Sequence, residues 1–114
     1  MFQLIGWQWK GYPRYHRSRT NLVLHIIFVP VFLVGNVALV AAIVRGTLVG
    51  TVIAMTAIIA SIAVQGRGHR WEAIPPEPFG SFSNALARIF CEQWVTFPRF
   101  VLSGGWSNAL RHAP

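Results

Sequence analysis

From Thr20 to Gly66 the chain runs for 47 residues with one charged side chain, Arg45. A soluble domain carries roughly a quarter of its residues as charges, so a stretch this poor in them is built for lipid. As a helix, Leu22 to Val44 reaches about 34 Å and crosses a hydrocarbon core of roughly 30 Å with some tilt. Pro30 and Gly35 are the positions where it is expected to kink. Thr47 to Gln65 forms a second, shorter run rich in Gly50, Ala54, Ala57, Ala60 and Ser61. Small residues of that kind let helix backbones approach closely in lipid. A tight turn at Arg45-Gly46 makes the two runs an antiparallel hairpin.

The charge distribution orients it. The net charge of +7 does not sit on one face able to track phosphates, which argues against nucleic acid. Lys10, Arg14, Arg17 and Arg19 precede the first run and Arg67 and Arg70 follow the second, against Arg45 alone at the turn. By the positive-inside rule both termini are cytoplasmic, in a multi-pass protein of a bacterial inner membrane or the endoplasmic reticulum. Trp7, Trp9, Tyr12 and Tyr15 make residues 1–20 a basic, aromatic lead-in at the membrane interface. A secretory signal is expected to be shorter than this first run, and a second run follows directly. Cys91 is the single cysteine, which rules out an intrachain disulfide.

A third segment differs in kind. Phe82, Leu86, Ile89, Phe90, Trp94 and Phe97 recur at helical spacing, which predicts an amphipathic helix over 82–97 that lies in the interface or packs on the hairpin and ends or kinks at Pro98. Arg88 and Glu92, four apart, are expected to pair. A stiff Pro-rich connector occupies 66–81, and Phe100-Val101-Leu102 in the tail 98–114 suggests a short re-entrant piece. The fold class read from the sequence is therefore all-α: one small polytopic membrane domain over 1–114, a two-span helical hairpin with an amphipathic or re-entrant C-terminal helix.

The hairpin brings His16, His25 and His69 to one side of the membrane. His16 precedes the first span, His25 lies about one turn inside it, and His69 follows Gln65, where the second span returns. Three imidazoles at one depth suit Zn, Fe or Cu, whereas any one of them alone is more often a hydrogen-bonded structural residue than a ligand. Asn21, His25 and Asn36 share a face of the first helix, and Ser61, Gln65, His69 and Glu72 share one of the second. Polar faces in lipid turn toward each other, because unpaired polar groups there cost a few kcal/mol. Glu72 then reads as a fourth ligand, a partner orienting a ligand histidine, a general base, or an ion-pair partner of Arg67 or Arg70. Asn21 and Gln65 sit beside the histidines, where they can bind substrate. His112 reads as a surface residue.

Tyr15-His16, Asn21, His25 and Pro30, followed by Gln65, Gly68-His69, Glu72 and Pro75, resemble the pattern of the membrane 2-hydroxy fatty acid dioxygenases. The chain departs from it at Gly66-Arg67, where that family has a bulky pair, and in the three-residue step from His69 to Glu72, where it has four. The resemblance implies an Fe(II) enzyme of lipid metabolism that uses O2 to shorten a 2-hydroxy fatty acid by one carbon, with His16, His25 and His69 as its functional histidines. A site one turn below the headgroups suits a fatty acid whose carboxylate pairs with Arg67 or Arg70. The competing reading is a non-catalytic membrane hairpin that binds or scaffolds a partner. Self-association is compatible with either.

Overall fold

Ser18 caps the first long helix, α2 (Arg19–Arg45), by accepting from the amide of Asn21, and Gly46 ends it at φ 68°, a left-handed conformation that a side chain would strain. Thr47 caps α3 (Leu48–Gly68) by accepting from the amide of Gly50. The reversal takes two residues, and α2 and α3 pack as an antiparallel hairpin. α2 is helical without interruption through Pro30 and Gly35. The computed structural model describes residues 2–114, all-helical, with no strand among them. Both hairpin helices are long and apolar enough to cross a membrane.

The two polar faces meet at one end of the hairpin. There α2 buries Asn21 and His25, and α3 buries Ser61 and Gln65. Asn36 stays out of this group, its amide donating to the carbonyl of Phe32 at 2.6 Å in its own helix. At the other end Val37, Val40, Ile43, Leu48, Val49 and Val52 are exposed.

The remaining elements gather around the polar end. Residues 2–15 form a regular helix, α1 (Phe2–Tyr15), with Tyr12 buried in a core of Leu22, Val29, Phe97 and Phe100. Gln8 of α1 donates to the carbonyl of Arg88 at 3.0 Å and accepts from the hydroxyl of Thr96. α4 (Phe82–Cys91) leads through a π-helical turn (Glu92–Thr96) into α5 (Phe97–Leu102). The helix therefore continues past Pro98, where the sequence suggests an end or a kink. Pro98 has no amide for the carbonyl of Trp94 and its ring crowds that carbonyl, so the ladder opens by one residue. The amide of Phe97 bonds instead to the carbonyl of Glu92, five residues back.

The faces of this helix are the reverse of a soluble amphipathic one. Phe82, Leu86, Phe90 and Trp94 point outward, while Gln93 and Thr96 are buried. Phe90 still touches the hairpin, its ring 5.4 Å from that of Phe32. In the tail, a short helix α6 (Gly105–Arg111) folds back on α2, where Trp106 Nε1 donates to the carbonyl of Leu22 at 2.9 Å. Arg88 does not pair with Glu92. Its guanidinium lies between the rings of Trp7 and Phe79 and donates to the carbonyls of Glu77 and Pro78, tying the Pro-rich connector to α4.

Candidate metal site

His16, His25, His69 and Glu92 converge, each offering a ligand atom within 4.8 Å of the others. Four separate elements deliver them. His16 lies in the turn after α1, His25 in α2, His69 at the start of the tight 3-10 turn (His69–Trp71) that ends α3, and Glu92 at the start of the π turn. The rings stand nearly perpendicular to one another, with centroids 4.8 to 5.2 Å apart.

The backbone fixes the tautomers of two rings. His16 Nδ1 is 2.9 Å from the carbonyl of Tyr12, and His25 Nδ1 is 3.0 Å from the carbonyl of Asn21. A carbonyl only accepts, so each Nδ1 carries its hydrogen there and each neutral ring keeps its lone pair on Nε2. Those two Nε2 atoms face Glu92 Oε2 at 3.3 and 3.5 Å. Both are buried without a hydrogen-bond partner, as is Nδ1 of His69.

Two imidazole lone pairs and a carboxylate oxygen aimed at one another repel unless a proton or a cation lies among them. Donor atoms about 2.0–2.2 Å from a tetrahedral or octahedral ion lie roughly 3 to 4 Å apart, so the 3.3 and 3.5 Å pairs match the edge of a coordination shell. Three imidazoles and one carboxylate, with no thiolate, fit Fe(II) or Zn(II). Cys91 is buried elsewhere, against the hydroxyl of Thr96.

Tyr12 supports the set from behind. Its hydroxyl donates to Glu92 Oε2 at 2.6 Å, and its ring stacks on that of His16 at 3.8 Å. Burial pushes the Tyr12 hydroxyl well above its ordinary pKa, and the Glu92 carboxylate adds to the shift, so Tyr12 remains a donor. For Glu92 burial alone would raise the pKa, but hydrogen bonds and positive charge from His16 and His25, when a proton occupies the facing nitrogens, outweigh it and hold it well below the usual range. Glu92 is therefore an anion in a cradle of nitrogen atoms.

The site opens on a cavity of about 530 Å³, lined by His16, His25, His69 and Glu92 together with residues of α1, α3, α4 and the connector. Of the residues that the sequence nominates for substrate, Gln65 lies in this lining and exchanges two amide hydrogen bonds with Gln93, at 2.9 and 2.8 Å. Asn21, Arg67 and Arg70 lie outside the lining. Asn21 is buried against Gly68, where a Cβ would come within 2.5 Å of its Oδ1.

Glu72 sits apart from the histidines. Its carboxylate accepts from the amides of Arg17 and Ser18, at 2.9 to 3.1 Å, and from the side-chain amide of Asn21 at 2.8 Å. It binds the free amides that precede α2, as anions do at helix N-termini, and locks the turn carrying His16 to the one carrying His69. The carboxylate in the cluster is Glu92, which the sequence assigns to Arg88 by spacing. The signal that finds it is scarcity, since the chain has three acidic residues and Glu92 shares a helical face with Gln93 and Thr96. Comparison with known protein families, curated proteins and solved structures gives no match.

Proposed function

We propose that the chain is an integral membrane protein with both termini cytoplasmic, acting as an Fe(II)-dependent dioxygenase that shortens 2-hydroxy fatty acids by one carbon. The observation that carries this reading is the convergence of three imidazoles and a carboxylate, lone pairs inward, on the wall of a cavity. The membrane assignment is supported by how little of the hairpin is covered. Only 22% and 17% of its two most apolar stretches are buried, whereas the core helix of a soluble protein is mostly buried. The metal cluster lies at the end of the hairpin where Arg17, Arg19, Arg67 and Arg70 gather, which sets it at headgroup depth. A fatty acid reaches such a site with its acid group in the interface and its chain in hydrocarbon.

In this reading His16, His25, His69 and Glu92 hold the iron, and the carbonyls of Tyr12 and Asn21 orient two of the rings. Iron supplies the one-electron chemistry through which O2 reacts with a carbon centre. Tyr12 donates to Glu92 Oε2 and so holds the carboxylate against the histidines. The bond between C1 and C2 breaks: one 2-hydroxy acid and one O2 give the acid shorter by one carbon, CO2 and water.

Metal analysis of detergent-purified protein, with turnover of a 2-hydroxy fatty acid followed by mass spectrometry, tests this. One iron per chain and an acid one carbon shorter are expected, both lost in His16→Ala, His25→Ala and His69→Ala. Zinc in place of iron would remove the oxygenase reading. A protein without stoichiometric metal that tolerates all three changes would leave the non-catalytic scaffold.

A further inference from the structure

Three cations line the cavity beside the metal ligands: Lys10, Arg14 and Arg88. Arg88 is already engaged by two rings and two carbonyls. Lys10 and Arg14 form no ion pair among the described residues. They are exposed, one turn apart on the same face of α1, an arrangement in which like charges repel and which an anion between them relieves. Of the three acidic residues in the chain, Glu72 is committed to the start of α2 and Glu92 to the histidines. Only Glu77, on the connector, is left in the lining to oppose them.

Two glycines leave space in the cavity wall. Gly66 of α3 has nothing within 4 Å of where a Cβ would stand, and Gly11 of α1 has only the ring of Tyr15, at 3.5 Å. Both line the cavity, and Ile62 and Ile89 add apolar surface.

We infer that Lys10 and Arg14 are the subsite for the acid group of a single-chain amphiphile bound in this cavity beside the metal ligands. The inference rests on the lipid-acid reading above and names the residues that select the acid. It assigns that task to α1, in place of the Arg67 and Arg70 suggested by the sequence. Lys10 and Arg14 are binding residues and pair with none of the metal ligands.

The test is a titration of intrinsic tryptophan fluorescence, which Trp7 in the cavity wall contributes to, in nonionic detergent under nitrogen with Fe(II)-loaded protein. The probes are 2-hydroxyhexadecanoic acid and the uncharged hexadecane-1,2-diol. Charge-assisted hydrogen bonds to an acid are strong enough that the wild type is expected to prefer the acid by on the order of ten-fold or more. Lys10→Ala with Arg14→Ala should abolish the preference while leaving diol affinity and iron content unchanged, and Lys10→Arg with Arg14→Lys should retain it. Gly66→Leu should weaken both probes alike. A double alanine variant that still prefers the acid would overturn the inference. So would an effect confined to binding of phosphatidylglycerol vesicles over phosphatidylcholine ones, since the two cations would then serve lipid headgroups. Wild-type protein that bound neither probe would sink the functional reading itself, and this inference with it.

Discussion

The hydroxyl of Tyr12 donates to Glu92 Oε2 at 2.6 Å across 80 residues of sequence, joining the N-terminal helix to the π turn at the point where the histidines meet. Tyr12→Phe removes that bond and leaves the stacking on His16 in place. Losing a hydrogen bond to a ligand commonly costs 10- to 100-fold in metal affinity, and a fall of about that size is expected here. Competition with a fluorescent chelator measures it. Unchanged circular dichroism with unchanged affinity would mean that Tyr12 serves packing alone.

Glu92 and Glu72 separate the site from its support. Glu92→Gln keeps the size of the side chain and removes the charge that balances a divalent ion, so stoichiometric metal should be lost. Glu72→Gln should keep the metal, because that carboxylate meets the amides of Arg17 and Ser18 and not the histidines. Its cost is stability. Weakening charge-assisted bonds to backbone amides costs about 1–3 kcal/mol, read as a lowered thermal midpoint in detergent. Metal lost from Glu72→Gln and kept by Glu92→Gln would reverse the assignment.

The hairpin and its polar end were legible because they follow from period and polarity. Asn21 with His25, and Ser61 with Gln65, lie inward as helical phase requires. What sequence reasoning could not reach depends on elements distant in the chain. Arg88 and Glu92 satisfy the four-residue spacing of a helical ion pair, yet Arg88 finds the connector and Glu92 finds residues of α1 and α2. Local spacing says which side chains can meet and not which competing partner is stronger. Glu72 illustrates the same limit. It follows His69 by three residues, but the chain leaves the helix after Trp71, and its carboxylate turns toward the start of α2. Of the apolar stripe Phe82, Leu86, Ile89, Phe90, Trp94 and Phe97, Phe97 joins the core while Phe82, Leu86, Phe90 and Trp94 are exposed, because period alone does not say which way a stripe faces.

Topology is open to labelling. Arg45 lies at the turn of the hairpin and Arg17 before α2, both exposed, while the native Cys91 is buried. Arg45→Cys is expected to react with an impermeant maleimide from the non-cytoplasmic side, and Arg17→Cys only after the cytoplasmic face is opened. Reaction of both from one side would exclude the spanning hairpin while leaving the metal cluster to be judged separately.

Pro98 sets the angle at which Glu92 enters the site. Because it offers no amide to Trp94, the ladder opens to a spacing of five over Glu92–Thr96 and advances the register of α5 relative to α4 by one residue. In an unbroken α-helix that residue amounts to a rotation of about 100°. Phe97 and Phe100 are held in the core with Tyr12, Leu22 and Val29, so a helix that closes its ladder has to rotate on the α4 side. Pro98→Ala restores the missing donor. Helix content should rise or stay constant while metal affinity falls, because Glu92 swings away from the Nε2 atoms of His16 and His25. Chelator competition and far-UV circular dichroism on the same sample test the pair of effects. Full metal affinity in Pro98→Ala would show that core packing, and not the missing amide, maintains the π turn.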